Sequence, residues 1–258
     1  GYFTIENMDL PYVLTGVLGL YLLTCAYAAI GLFMSSITSY QVVAAMGTLA
    51  ILAVLNFIGD VGQSISFVRD ITYWLSISGR TYPFLSGMIC SEDVLYFIIV
   101  ISLFIVLSTM RLQAARKRRS QTITLARYFI VIGGALFIGY LTSLPISKFY
   151  YDATALKKNT LTPGSQEVVK KLDGDLTITT YMNILDENYG SALPDQLKND
   201  FARFEQYVRF KPEIKMKYVY YYAPSVQPSF PGRFDELPIK ERAEKISKIM
   251  ELDFDMFH

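Results

Sequence analysis

The stretch TMRLQAARKRRSQTITLARYF, residues 109–129, gathers Arg111, Arg116, Lys117, Arg118, Arg119 and Arg127 with no Asp or Glu among them. On one side, Val94–Met110 carries no charge, and on the other Tyr128–Ser147 carries none. Further out, Leu10–Gly59 is also uncharged. A basic knot between two greasy runs has a simple physical reading. The runs cross a bilayer, and the excess of Lys and Arg in the short connection fixes the cytoplasmic side. Contact with anionic lipid follows from the same charges. A docking site for a cytoplasmic partner is the alternative use of the knot. Nucleic-acid binding is excluded, since no aromatic residues are interleaved to stack on bases and the net charge is only +1.

Lipid offers the backbone no hydrogen-bond partners, so a crossing segment is a helix of about 20 apolar residues over a core of about 30 Å. Four segments qualify: 11–34, 41–58, 94–110 and 128–146. Gly16, Gly19, Ala26, Ala28, Ala29 and Gly31 give the first of them a small-residue surface suited to close helix contact, and Gly133, Gly134 and Gly139 do so for the fourth. The fold class expected is an α-helical polytopic membrane region of four spans, followed by an α/β extracytoplasmic domain. Residues 1–110 form the first part, with 59–92 as an outer loop. A basic cytoplasmic linker occupies 111–127, an anchoring span 128–146, and a partial α/β domain 147–258. Alternation from the basic linker places residues 1–10, 59–92 and everything after Ile146 outside. The first span is no signal peptide, because it lacks a basic start and further spans follow it.

Within the outer loop, Val61, Ile65, Val68, Thr72 and Leu75 recur at helical spacing, with Phe67, Ile71 and Trp74 widening the apolar face. Tyr73 and Trp74 are residue types that settle at headgroup level, so a helix lying in the outer interface is expected with these two as anchors. An ordinary packed surface helix is the competing reading. Arg69–Asp70 reads as a surface charge pair. After Lys148 the pattern changes. Thr162–Pro163 reads as an N-cap and first turn, and DLTITTYMNIL alternates as a strand. PDQLKNDFARFEQYVRF carries a stripe of Leu197, Phe201, Phe204 and Val208, EIKMKYVYYY alternates as a second strand, and PIKERAEKISKIM stripes Ile239, Ala243, Ile246 and Met250. That order opens an α/β domain with parallel strands. The stripe on the middle helix is expected to make the main helix–sheet contact.

Chemistry is sparse. His258 is the only histidine, which removes His-based catalysis and His-rich metal sites, and no phosphate-cradling loop is present. Asp173 and Asp175 flank Gly174 as a plain turn. Cys25 and Cys90 are expected not to bridge. No catalytic, cofactor-binding or metal site is therefore expected.

The segment GVLGLYLLTCAYAAIGLFMSSITSYQVVAA, residues 16–45, resembles the fourth and fifth spans of permeases of the second-type ATP-binding-cassette (ABC) exporter family, in the branch associated with gliding motility. Residues 75–97, LSISGRTYPFLSGMICSEDVLYF, are similar to the outer loop leading into that family's last span. They carry Arg80–Pro83 where the family often has a His-Phe pair. Residues 148–182 resemble the start of the auxiliary extracytoplasmic component of the same systems. The resemblance implies a permease C-terminal half fused to an auxiliary N-terminal half, incomplete at both ends, with about three spans upstream of Gly1. It also implies a bacterial cytoplasmic membrane location, a separate ABC ATPase subunit, a second permease copy or homologue, membrane lipids as surroundings, and no cofactor in this chain. It names no substrate. A membrane-anchored scaffold whose outer domain binds a partner or an envelope glycan is the alternative, and a membrane-embedded enzyme finds no constellation to support it.

Overall fold

Asp9 opens the first helix, its side chain accepting from the Tyr12 amide at 3.3 Å while Pro11 occupies the first turn. The computed structural model describes residues 9–61, 65–116, 121–142, 148–172, 174–193, 196–230, 234, 236–250, 252 and 254. The helix, α1, runs Leu10–Ile37 and stops where Thr38 turns extended. Then come α2 (Gln41–Phe57), a single 3-10 turn at Ile58–Asp60, α3 (Ser66–Leu75), α4 (Ile77–Leu85), the short strand β1 (Met88–Cys90), α5 (Ser91–Arg116) and α6 (Gln121–Thr142). Polar side chains inside these apolar helices bond back to their own backbone. Thr15 donates to the Pro11 carbonyl at 2.9 Å, Thr24 to Leu20 at 2.7 Å, Thr48 to Ala44 at 2.8 Å, Asn56 to Leu52 at 2.9 Å and Ser108 to Phe104 at 2.7 Å. Such bonds remove the cost of placing a hydroxyl or amide in an apolar medium.

Among the described residues three helices are long and apolar enough to cross a membrane: Leu10–Ile37, Ser91–Ala114 and Thr122–Thr142. At 17 residues α2 is shorter, about 26 Å at 1.5 Å per residue. The contacts align these helices. The Gly31 Cα faces Thr48, and the Phe33 ring meets Phe104 with centroids 5.6 Å apart. Through these pairs the uncharged part of α5, from Val94 to Met110, stands level with α2 and with the second half of α1. The first ten or so residues of α1 continue past the start of α5. There α4 lies against them: Phe84 packs on Gly19, and the Tyr12 hydroxyl donates to the Leu85 carbonyl at 3.0 Å. The expected single helix over 61–75 is thus α3, beginning at Ser66, and a second helix follows it at once. Ser76 separates them and caps α4 by accepting from the Gly79 amide at 3.4 Å. The helix ends also differ from the expected spans, and the 111–127 linker is helical on both sides of residues 117–120, which lie outside the described residues.

β2 (Tyr150–Asp152) pairs antiparallel with β1, Met88 opposite Asp152 and Cys90 opposite Tyr150. This first unit of the chain comprises Gly1–Gly59 and Ile71–Thr160, and the second comprises Asp60–Asp70 and Leu161–His258. Its buried centre is Ala26, Ile30, Ile77, Phe84, Tyr96 and Phe97.

In the second unit α7 (Pro163–Lys170) starts as expected, with Thr162 accepting from the Ser165 amide and Pro163 in the first turn. β3 (Thr177–Asn183) and β4 (Lys215–Tyr221) pair in parallel, Thr177 opposite Lys215 and Asn183 opposite Tyr221, with α8 (Leu197–Val208) as the crossover. The core, however, gathers under α9 (Ile239–Ile249). Met182, Ile184, Leu185, Tyr220, Ala243, Ile246, Met250 and Leu252 are its buried members. From α8, Leu197 is buried and Phe201 meets the Tyr218 ring edge-on at 6.1 Å, outside that cluster. The main helix–sheet contact therefore comes from the last helix, not from the middle one. Tyrosines in and just after β4 serve packing: Tyr220 is buried, and Tyr222 stacks on Phe254 at 5.8 Å.

Candidate functional site

The most chemically distinctive place in the first unit lies where α4, the start of α5 and the segment after α6 converge. Arg80 is 5% exposed. Its Nη1 donates to Glu92 Oε1 at 2.6 Å and to Asp93 Oδ1 at 3.0 Å. Lys148 Nζ approaches the other Glu92 oxygen at 2.6 Å. The Arg80 guanidinium lies 5.8 Å from the centre of the Tyr96 ring, and the Tyr96 hydroxyl donates to the Leu75 carbonyl at 2.8 Å. Two cations and two carboxylates thus meet here. Local sequence explains the position of each. Glu92 and Asp93 sit in the first turn of α5, where a helix favours negative charge, and Arg80 is one turn into α4.

Beside this group residues 148–160 form a strap. The Ser91 amide donates to the Phe149 carbonyl at 2.9 Å, and the Phe149 amide to Ser91 Oγ at 2.9 Å. Beyond β2 the Asp152 carboxylate accepts from the Thr154 amide at 2.9 Å, Thr154 Oγ1 at 2.7 Å, the Asn159 amide at 2.8 Å and Thr160 Oγ1 at 3.3 Å. Burial alone would push the Asp152 carboxyl up. The donors outweigh that and hold it below the usual carboxylate range. The strap is tied to α1, where Asp9 Oδ2 accepts from the Ala155 amide at 2.7 Å, and to the end of α4 through Asn159 and the Ser86 carbonyl at 2.7 Å. Gly87 makes the tight passage into β1 possible. Its φ is +82°, and a Cβ there would lie 2.5 Å from the Tyr12 ring and 2.8 Å from the Thr154 methyl.

Of the basic residues, Arg111 and Arg116 stand toward the far end of α5. Arg111 and Arg127 are exposed, on α5 and α6 respectively. Arg116 closes α5, its side chain outside the described residues, and Lys117, Arg118 and Arg119 are outside them altogether. From Asp93 to Arg111 α5 rises about 27 Å. Trp74 packs against neighbouring helices. Its ring meets Tyr96 edge-on at 5.5 Å and covers Gly139 of α6, where a Cβ would lie 2.0 Å from Cζ2. The Trp74 ring is partly buried there. The Tyr73 side chain and those of Arg69 and Asp70 lie outside the described residues. Cys25 and Cys90 form no disulfide. Among the described residues no three His, Cys, Asp or Glu side chains converge as a metal site.

No family model, no curated protein and no solved structure matches this chain. The reading of the site therefore rests on its own chemistry. The Arg80 group is not foreseen from sequence, although an arginine in the outer loop and an acidic pair opening an apolar run were its available signals.

Proposed function

We propose that the chain is a membrane permease subunit of an ATP-driven ABC exporter, carrying an α/β domain on the extracytoplasmic side. The observation that carries this reading is the segregation of charge along the helices. Paired charges stand at one end of α5, the exposed Arg111 stands toward the other, and an uncharged stretch of bilayer depth lies between. In this reading α1, α2, α5 and α6 all cross. The 17 residues of α2 are enough because they stand level with the equally short uncharged part of α5. The Arg80 group and the strap sit at the outer surface and the arginine-rich end inside. The sequence resemblance of residues 16–45 to exporter permeases supplies the transport class. ATP is hydrolysed on a separate chain, since no phosphate-cradling loop is present here.

The test combines sidedness and dependence. In intact cells an impermeant thiol reagent labels a cysteine placed at Val226 but not one at Gln113, in a chain lacking Cys25. Purified alone, the protein turns over no ATP, and turnover appears when a phosphate-loop ATPase that co-purifies with it is restored. Labelling at 113 with protection at 226, or hydrolysis by this chain alone, refutes the reading.

A further inference from the structure

We propose that the end of the helical unit built by α4 and the strap 148–160 is seated in the headgroup layer of a lipid bilayer, with Tyr82, Phe149, Tyr151 and Leu156 as its lipid-facing anchors. The first observation is that the polarity of this end is turned inside out. On α4, Arg80 and Thr81 are buried together with Ile77 and Phe84, while Tyr82 is 72% exposed and Leu85 is exposed one turn further on. On the strap, Asp152 and Thr154 are buried, while Phe149 is 73%, Tyr151 57% and Leu156 78% exposed. Asp93, in the first turn of α5, is buried as well. A cap standing in water is arranged the other way round, with charges outward and rings inward. Large apolar side chains gathered outside a polar interior form a contact surface. Aromatic rings beside cations are the combination that settles between headgroups and acyl chains. The cations are present: Lys157 and Lys158 are exposed, and Lys157 Nζ stands 5.3 Å from the centre of the Tyr151 ring.

The backbone gives the second observation. The strap is irregular beyond β2, and irregular backbone is costly wherever water is scarce unless its polar groups are paired within the protein. Seven of the eight amides from Ala153 to Thr160 donate to acceptors in the chain. Buried side chains provide several of these acceptors, Asp152 for Thr154 and Asn159, and Thr154 for Lys158. The strap therefore meets its surroundings with side chains rather than with bare peptide groups.

Continuity with a crossing helix selects lipid as the occupant. The Tyr12 hydroxyl donates to the Leu85 carbonyl, and the Tyr12 ring stands with the Thr154 methyl against Gly87. At that level α1, which is long and apolar enough to cross a membrane, exposes Leu10, Leu14 and Val17. No charge interrupts α1 from Leu10 onward. A bilayer that covers this outer end of α1 also reaches α4 and the strap beside it. The proposal rests on the reading that α1 and α5 cross a bilayer, and it is independent of the exporter assignment.

The test places a bimane fluorophore on single cysteines in full-length Cys25→Ala protein, reconstituted in phosphatidylcholine vesicles; the remaining Cys90 is buried. Phe149→Cys, Tyr151→Cys and Leu156→Cys report on the strap. Ile105→Cys, exposed on α5 and about 21 Å along the helix from Ser91, reports on the crossing itself. Phosphatidylcholine spin-labelled at the headgroup should quench the three strap positions at least about twofold more than the same lipid labelled deep in its acyl chain, and Ile105→Cys should show the reverse order. Iodide should quench the strap positions at least about threefold less than bimane-labelled free cysteine. Strap positions open to iodide and untouched by either lipid would place this end in water. Protection from iodide and from both lipids would place protein against it. Either result, with the deep pattern intact at position 105, overturns the proposal alone, whereas loss of the deep pattern at 105 overturns the crossing on which it rests.

Discussion

Gly19 and Gly16 lie one turn apart on α1 and set up a comparison in which most terms cancel. A Cβ at Gly19 would lie 2.4 Å from the Phe84 Cβ and 2.8 Å from its Cγ, whereas at Gly16 nothing stands within 4 Å. Alanine at either position gains helix propensity, up to about 1 kcal/mol over glycine. At Gly19 that gain meets overpacking against a residue with no exposed surface, which costs about 1–3 kcal/mol. Gly19→Ala should therefore fall about 1–3 kcal/mol below Gly16→Ala in stability. Trimming the ring does not relieve the clash. The nearest atom is the Cβ of Phe84 itself, so Phe84→Ala keeps it, and α4 must move off α1. The assay is reversible unfolding in detergent followed by the emission of Trp74, the chain's only tryptophan, whose ring sits in the same buried cluster. Equal midpoints for the two alanine variants would mean that α4 does not pack on α1 as described.

Gly139→Ala should shift the Trp74 emission and lower stability, because the new methyl would fall 2.0 Å from the indole, while Gly133→Ala, with nothing within 4 Å, should leave the emission unchanged and gain up to about 1 kcal/mol in stability; identical spectra would place the ring elsewhere. Asp152 is held below the ordinary carboxylate value of about 3.9, so its contribution is fully present above that pH and is lost as pH falls through its lower folded value. Its contribution to stability, read from unfolding followed by Trp74 emission, should accordingly persist at neutral pH and weaken only in acid below about pH 4. Asp152→Asn should weaken it already at pH 7 by removing a charged acceptor, at a cost of about 1–3 kcal/mol. An unaltered variant would assign the strap's order to other bonds.

The apolar helices were legible because burial of backbone in lipid demands long uncharged runs, and that demand shows in composition. Their ends were not, since a helix and its crossing segment are different things. Glu92, Asp93 and Arg111 are unsuited to hydrocarbon yet fit well at helix termini, so α5 extends past its uncharged run on both sides. The α7 start and the parallel pairing of β3 with β4 were readable from capping and alternation. Whether α8 or α9 supplies the core was not, because both carry apolar stripes and only the tertiary arrangement brings Ala243 and Ile246 to full burial. The Arg80 group was hidden for a similar reason. Lys148 joins Glu92 from across an entire helix, a proximity created by the β1–β2 register and by nothing local in the chain.

That register also bears on how the polypeptide holds together. α6 packs along α5, Trp74 is wedged on Gly139, and the strap is sewn back onto β1, Ser91 and Asp9. The covalent link between α5 and α6 is thus only one of several attachments between the segments before Arg116 and those after Gln121. A nick in that connection would leave two pieces that still recognise each other through a ladder, an ion group and a helix pair. The same fold could accordingly be assembled from two separately made polypeptides, with the strap as the element by which the second finds the first.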